Sequence, residues 1–374
     1  MPDNQLKCMV CGALMPVGTT VCPVCGAGSD QLVYADAPGI MFRLDTERRF
    51  IIVGAGIAGI SAAAAIRKRD HTAIIVLLDG EDELPYYRPM LTKRLSGELS
   101  SGELVIHNES WYDERGITRI PGQRAASIDT AAKTITLESG AELLYDACVL
   151  AMGASSFIPP IPGAGYANVF TIRSLDDARR LASEARFAQH VTVIGGGALG
   201  LEAAWSLRGA GLDVTVIETL PRLLDRKVTQ TMSDTLADRI RQSGIGLILG
   251  AKVQSIEAAD GKARAVTLVG FETIRTDIVI LSTGITPNVK AVSSSGITIE
   301  RGIVVDGSMR TNAPDVYACG DCAIFDGIRY GLWPEAEAMG ATAGANAAGD
   351  CQTYTRVPLP ETLTTLGDFA IRGA

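Results

Sequence analysis

Phe50-Ile51-Ile52-Val53-Gly54-Ala55-Gly56-Ile57-Ala58-Gly59 decides the fold. An apolar run, a glycine turn and the small-residue segment Ser61-Ala62-Ala63-Ala64-Ala65-Ile66 read as strand, turn and helix. A second apolar strand, Ile74-Ile75-Val76-Leu77-Leu78, ends on Asp79. A GxGxxG turn in that context is a dinucleotide-binding fingerprint. Gly54 permits the tight turn, Gly56 lets backbone approach a pyrophosphate, and Gly59 lets helix and strand pack closely. The helix N-terminus offers N–H groups and a partial positive charge to that anion, and Asp79 is placed to accept ribose hydroxyls.

The pattern recurs downstream. Val191-Thr192-Val193-Ile194 predicts a strand, Gly195-Gly196-Gly197-Ala198-Leu199-Gly200 a second fingerprint, and Leu201 to Leu207 its helix. The following strand, Val214-Thr215-Val216-Ile217, ends on Glu218. An acid there favours the free 2′-hydroxyl of NADH over the 2′-phosphate of NADPH, while the nearby Arg222 keeps NADPH open. Leu150-Ala151-Met152-Gly153 and Leu281-Ser282-Thr283-Gly284 are matching strand-then-glycine endings, which points to an internal duplication.

Between and after these motifs the readings are coarser. Leu84 to Leu95 opens as a proline loop and enters a helix, carrying Arg88 and Lys93 either beside a nucleotide crevice or as ordinary solvated charges. Ile128 to Leu144 predicts a hairpin insert. Val316-Tyr317-Ala318-Cys319-Gly320-Asp321 predicts a strand and turn ending in an exposed acid. Trp333 to Asn346 predicts a helix built for close approach, and residues 350–374 have no strong pattern.

Composition sets the outer bounds. A chain of 374 residues exceeds one ordinary core, and 47% hydrophobic content is ample for large cores. Forty glycines against eight phenylalanines favour close backbone approaches over aromatic platforms. A net charge of −8 argues against nucleic acid, and no basic run addresses a membrane. Residues 50–66 carry no charge, but strand, turn and Ala-rich helix explain them better than a membrane span. Met1 to Lys7 is polar and lacks a secretory signal, so a cytoplasmic protein is expected.

Residues 1–30 read as a separate unit. Cys8-Met9-Val10-Cys11-Gly12 and Cys22-Pro23-Val24-Cys25-Gly26 are two CxxCG knuckles. Their thiolates, Cys8, Cys11, Cys22 and Cys25, suit tetrahedral zinc or iron. So small a unit needs its metal for folding energy. The breakers Gly28-Ser29-Asp30 and Ala37-Pro38-Gly39 mark the stretch 27–47, with 31–47 as the linker proper, and about twenty residues of coil reach on the order of 25 Å, enough to swing the metal toward a redox centre.

The stretch from Cys22 to Val33 resembles the second half of rubredoxin-like domains, in particular the short form attached to rubrerythrins. That resemblance implies one iron carrying one electron. Ala13-Leu14 stands where that family places an aromatic, which leaves a zinc ribbon open. Residues 48–350 resemble the flavin-dependent pyridine-nucleotide disulfide oxidoreductase superfamily, through two fingerprints, two glycine-ended strands and a late Gly320-Asp321. The fold this implies is α/β: two nested doubly wound, Rossmann-like domains, with the four-cysteine knuckle unit added at the N-terminus. The implied FAD domain comprises 48–156 and 283–350, the NAD(P)H domain 157–282, and 351–374 a tail. FAD would lie on Gly54, Gly56, Gly59, Asp79, Gly153 and Asp321, and NADH on Gly195, Gly197, Gly200 and Glu218.

Tyr87-Arg88-Pro89-Met90-Leu91-Thr92-Lys93 is similar to the rubredoxin and ferredoxin reductase branch. That branch pairs a lysine here with a glutamate after the second fingerprint, which in this chain are Lys93 and Glu202. The likeness implies that the pair steadies the isoalloxazine charge, with Arg88 and, more loosely, Trp333 close by. No cysteine lies between Ile52 and Ala147, so the reactive pair of disulfide reductases is absent. Cys319-Gly320-Asp321-Cys322 has thioredoxin-reductase spacing but reads as small buried cysteines, and Cys148 and Cys351 look structural as well. The branch continues several tens of residues beyond Ala374, so either truncation or cover by another subunit is expected, and a homodimer is left open. The activity implied is transfer of electrons from NADH through FAD to the four-cysteine iron and on to a rubredoxin- or rubrerythrin-like partner. An NADH oxidase reducing oxygen at the flavin, and a zinc-ribbon flavoprotein with an interaction role, are the alternatives.

Overall fold

The computed structural model describes residues 5–8, 14–16, 18–24, 28–29, 32–34, 46–97, 101–225, 227–270, 273–357 and 362–372. These fall into two compact units. One draws on Met1–Glu83, Asn108–Gly153 and Pro287–Arg356; the other on Leu84–His107, Ala154–Thr286 and Val357–Ala374. The α-helices, in chain order, are α1 (Ile57–Arg67), α2 (Glu109–Glu114), α3 (Leu175–Ala185), α4 (Ala198–Gly209), α5 (Gln230–Gln242) and α6 (Trp333–Ala347). Among the described residues no helix is long and apolar enough to cross a membrane.

The core of the first unit is a five-stranded parallel sheet in the order Val316–Ala318, Ala147–Leu150, Arg49–Val53, Ile74–Leu78, Ile117–Ile120. Its centre is the strand that precedes the first glycine turn, and Phe50, Ile51 and Ile52 have no exposed surface. A strand covered on both faces reads as a continuous apolar run, which is how this one appears in the sequence. The second unit repeats the order with Val169–Phe170, Ile278–Leu281, His190–Ile194, Asp213–Glu218 and Gly246–Leu249, again all parallel.

The duplication extends past the sheets. Each unit inserts a three-stranded antiparallel meander between its outermost strand and its glycine-ended strand. In the first these strands are Ala125–Asp129, Thr134–Leu137 and Glu142–Leu144, one more than the hairpin expected over 128–144. In the second they are Val253–Ala259, Lys262–Leu268 and Ile274–Arg275. The units differ in the strand beyond the glycine-ended one. It comes late in the first unit, at Val316–Ala318, and early in the second, at Val169–Phe170.

Two further readings are corrected. Residues 88–94 form two short 3-10 turns, Arg88–Met90 and Thr92–Arg94, rather than an α-helix. Pro89 sits in the first of them, and Tyr86, Leu91, Leu95 and Leu104 are buried in the core of the second unit, so packing dictates the path. The patternless tail forms a hairpin, Thr362–Leu366 with Phe369–Arg372. Its Gly367 has φ +61, and Leu366 and Ile371 are buried. The sequence signal was present: Gly367-Asp368 between the short runs Thr362–Leu366 and Phe369–Arg372 is a two-residue hairpin turn with glycine first.

In the first unit α6 lies against α1 at backbone contact. A Cβ on Gly340 would sit 2.1 Å from the Ala58 carbonyl oxygen, and one on Gly344 2.2 Å from that of Ala62. Gly344→Ala should therefore lower unfolding free energy by roughly 3 kcal/mol, because overpacking outweighs the gain in helix propensity. Gly209→Ala, whose Cβ meets nothing within 4 Å, should raise it by up to about 1 kcal/mol. Denaturant midpoints of the two variants check the contrast.

Candidate functional site

The two glycine turns share their backbone contacts atom for atom. Gly54 has φ +111 and Gly195 φ +114. The Gly54 N–H donates to the Leu78 carbonyl at 2.9 Å, and the Gly195 N–H to that of Ile217 at 2.8 Å. A Cβ on Gly54 would lie 2.2 Å from the Ala151 oxygen, and one on Gly195 2.2 Å from the Ser282 oxygen. On Gly59 it would strike the Gly54 oxygen at 1.9 Å, and on Gly200 the Gly195 oxygen at 2.2 Å. Above Gly56 and Gly197, in contrast, there is nothing within 4 Å. These two residues are the N-caps of α1 and α4, and no side chain caps either helix. Each turn is thus a backbone cradle with room over its middle glycine, facing uncapped helix N–H groups, and it fits a pyrophosphate.

Around the first turn, Gly153 takes φ +64 at the end of its strand. Gly320, with φ +70, packs against Ala58 of α1. That contact brings the adjoining Asp321, half-buried rather than exposed, to the glycine-turn end of α1. Trp333 is half-buried where α6 begins. Asp79 is turned inward: it is 6% exposed, accepts the Arg119 Nη1–H at 2.9 Å and caps the Glu81 N–H at 3.1 Å. Burial pushes its carboxyl above the usual range, against the pull of those two donors. Glu81, half-buried two residues on, is the next acid after this strand.

Around the second turn, Glu218 closes back on the glycines. One oxygen accepts the Gly196 N–H at 2.7 Å and the other the Leu220 N–H at 2.8 Å. Arg222 is held in its own turn by the Asp225 carboxylate and the Val228 carbonyl.

The second unit brings Lys93 and Glu202 together. Lys93 Nζ lies 3.7 Å from Glu202 Oε1, with the lysine side chain 32% and the glutamate 6% exposed. Two hydroxyls that sequence reasoning did not single out complete the group: Thr92 donates to Glu202 Oε2 and Thr364, from the tail hairpin, to Oε1. Arg88 is directed elsewhere in that unit, with its guanidinium over the Tyr86 ring and donating to the Tyr86 hydroxyl at 2.9 Å and the Arg173 carbonyl at 3.0 Å.

Of the expected metal ligands, Cys11 and Cys25 lie outside the described residues, and Cys8 is described only as backbone in the strand Gln5–Cys8. Cys22 is buried with Leu6 and Met15, against which Leu32 packs. Three other cysteines, Cys148, Cys319 and Cys322, are not set up for chemistry: they have no exposed surface. Burial pushes the Cys148 and Cys319 thiols far up and the Cys322 thiol to about 11. Cys322 instead donates to the Leu150 carbonyl at 3.4 Å. At pH 8, iodoacetamide should modify the exposed Cys351 at least tenfold faster than these three, which should react only on unfolding. Peptide mass spectrometry reads this directly.

The chain matches the pyridine nucleotide-disulphide oxidoreductase family over residues 48–340. It is 33% identical over 314 residues to the rubredoxin-NAD(+) reductase of Pseudomonas putida, covering 83% of this chain and 82% of that one. It is 32% identical to the assimilatory nitrate reductase electron transfer subunit of Bacillus subtilis, covering 82% of this chain but 40% of that one, so it spans less than half of that relative. Among solved structures, a ferredoxin reductase from Rhodopseudomonas palustris superposes with a TM-score of 0.80 at 32% identity, covering 83% of this chain and 78% of that one. Sequence, fold and paired glycine cradles agree: the chain belongs to the pyridine nucleotide-disulphide oxidoreductase family.

Proposed function

We propose that this protein takes electrons from NADH through FAD to an iron held by Cys8, Cys11, Cys22 and Cys25, and on to a redox protein of the rubredoxin or rubrerythrin kind. The observation that carries the reading is the duplicated cradle, with open space above both Gly56 and Gly197. Two dinucleotides fit two such turns. The names of relatives, rubredoxin-NAD(+) reductase and ferredoxin reductase, support the same assignment. FAD, when bound, supplies the chemistry, accepting a hydride as two electrons and releasing them singly.

The chain's own residues do the binding and orienting. In this reading 48–156 with 283–350 form the FAD domain, apart from Leu84–His107, which belongs to the second unit; 157–282 form the NAD(P)H domain, 1–30 the metal domain joined by a linker, and 351–374 a tail whose Val357–Ala374 also belongs to the second unit. Gly54, Gly56 and Gly59 seat the FAD pyrophosphate, Gly153 and Asp321 meet the ribityl chain, and Trp333 stands beside the ring. Asp79, held at the strand end by Arg119, is the acid offered to the adenosine ribose, with Glu81 two residues on. Gly195, Gly197 and Gly200 seat the nicotinamide cofactor. Glu218 accepts its ribose hydroxyls, and Arg222, tied to Asp225, is not presented to a 2′-phosphate, which favours NADH. Lys93 supplies a cation, positioned by Glu202, for negative charge that develops on reduction.

The test uses the purified full chain. Its metal content should be iron, and NADH added without oxygen should bleach the ferric visible bands; zinc in the site ends the relay while leaving flavin reduction intact. Separately, Gly56→Ala should unfold like the parent, since its Cβ enters open space, yet lose FAD affinity by tenfold or more, about 1.4 kcal/mol. Equilibrium titration of the apoprotein with FAD measures it.

A further inference from the structure

Glu202 is a carboxylate in an apolar setting, on the buried face of α4 beside Leu201 and Ala203. Such a charge is tolerated only when its oxygens are supplied with donors. Here the donors come from different stretches of the second unit. Thr92, 4% exposed, sits in the short turn that also carries Lys93. Thr364, 5% exposed, comes from the tail strand Thr362–Leu366.

The tail strand's register aims this hydroxyl. Pairing runs Thr362 with Arg372 and then Thr364 with Ile371, an irregularity of the kind a bulge produces. Alternation then continues with Thr365 exposed and Leu366 buried. Thr364 and Leu366 therefore share the inward face, toward α4. A bulge at that point re-aims the side chains that follow it.

The allocation of donors is uneven. Thr364 and Lys93 both face Oε1, but the hydroxyl is in hydrogen-bond contact while the ammonium stands off at 3.7 Å. We propose that Thr364 is a positioning residue for the Lys93–Glu202 pair: its hydroxyl occupies the carboxylate oxygen that Lys93 faces and keeps the ammonium from closing on it. Lys93, 32% exposed, thereby keeps N–H donors for a bound group while the carboxylate remains satisfied. Removing the hydroxyl leaves a buried oxygen short of a donor, and Lys93 is the group able to move in. The consequence for electron transfer rests on the flavin reading above; the geometry of the pair does not.

Thr364→Val, Thr364→Ser and the parent are compared in two ways. The first uses protein without FAD. Lys93 is acylated by a limiting amine reagent and quantified by peptide mass spectrometry against an internal lysine, Lys252. In Thr364→Val the Lys93 rate should fall at least threefold, and in Thr364→Ser it should stay within a factor of 1.5 of the parent. The second uses FAD-loaded protein. The rate of flavin reduction by NADH in single turnover should fall about tenfold in Thr364→Val and recover in Thr364→Ser, with the apparent affinity for NADH unchanged. An unchanged Lys93 rate in Thr364→Val overturns the proposal, as does a Thr364→Ser protein as impaired as the valine variant. Changed acylation with no flavin bound by the parent keeps the clamp and removes the flavin reading instead. Should Thr364→Val fail to fold, Thr364→Ala carries the same expectations.

Discussion

Everything in this structure follows from a carbonyl oxygen lying where a side chain would otherwise be. In each unit the strand that enters the glycine turn and the strand that ends beside it come so close that Ala151 or Ser282 fills the space of a Cβ on Gly54 or Gly195. The helix that leaves the turn is equally close, with the Gly54 and Gly195 oxygens in the Cβ positions of Gly59 and Gly200. Only glycine satisfies both contacts. The result is a helix start pressed onto the sheet with its N–H groups directed outward, which is why a phosphate can approach backbone there. The same economy of side chain recurs between α1 and α6, where Gly340 and Gly344 meet Ala58 and Ala62.

Charges in the interior follow a second constraint: among the described residues, buried carboxylates such as these are met by donors from other segments. Asp79 has Arg119, Glu202 has Thr92, Thr364 and Lys93, and Glu335, at the start of α6, accepts from Tyr354 with Arg356 nearby. Stripping one partner from such a group costs about 3–5 kcal/mol, far more than an exposed ion pair contributes. These groups are therefore rigid parts of the units that hold them. Exposed pairs such as Arg94 with Glu103 carry no comparable weight.

Much of this was legible beforehand because it is local. The two fingerprints, their strands and their helices are contiguous stretches whose periodicity and glycine spacing state the fold directly. The Lys93–Glu202 meeting came from a resemblance, since nothing in spacing joins residues so far apart. Thr364 was missed because a hydroxyl carries no signature until a carboxylate is placed against it. Arg119 was missed for the same reason, and with it the inward turn of Asp79. The helix expected after Pro85 gave way to 3-10 turns because Leu91 and Leu95 are drawn into a core that local propensity does not describe.

What the sequence determined by itself is the duplicated strand–glycine–helix plan, because glycine requirements and apolar periodicity are properties of neighbours along the chain. What only the tertiary structure decided is the fate of individual polar groups: which acid meets an arginine, and which hydroxyls reach Glu202. Those outcomes depend on desolvation and on donors arriving from remote segments, and a linear chain does not display them.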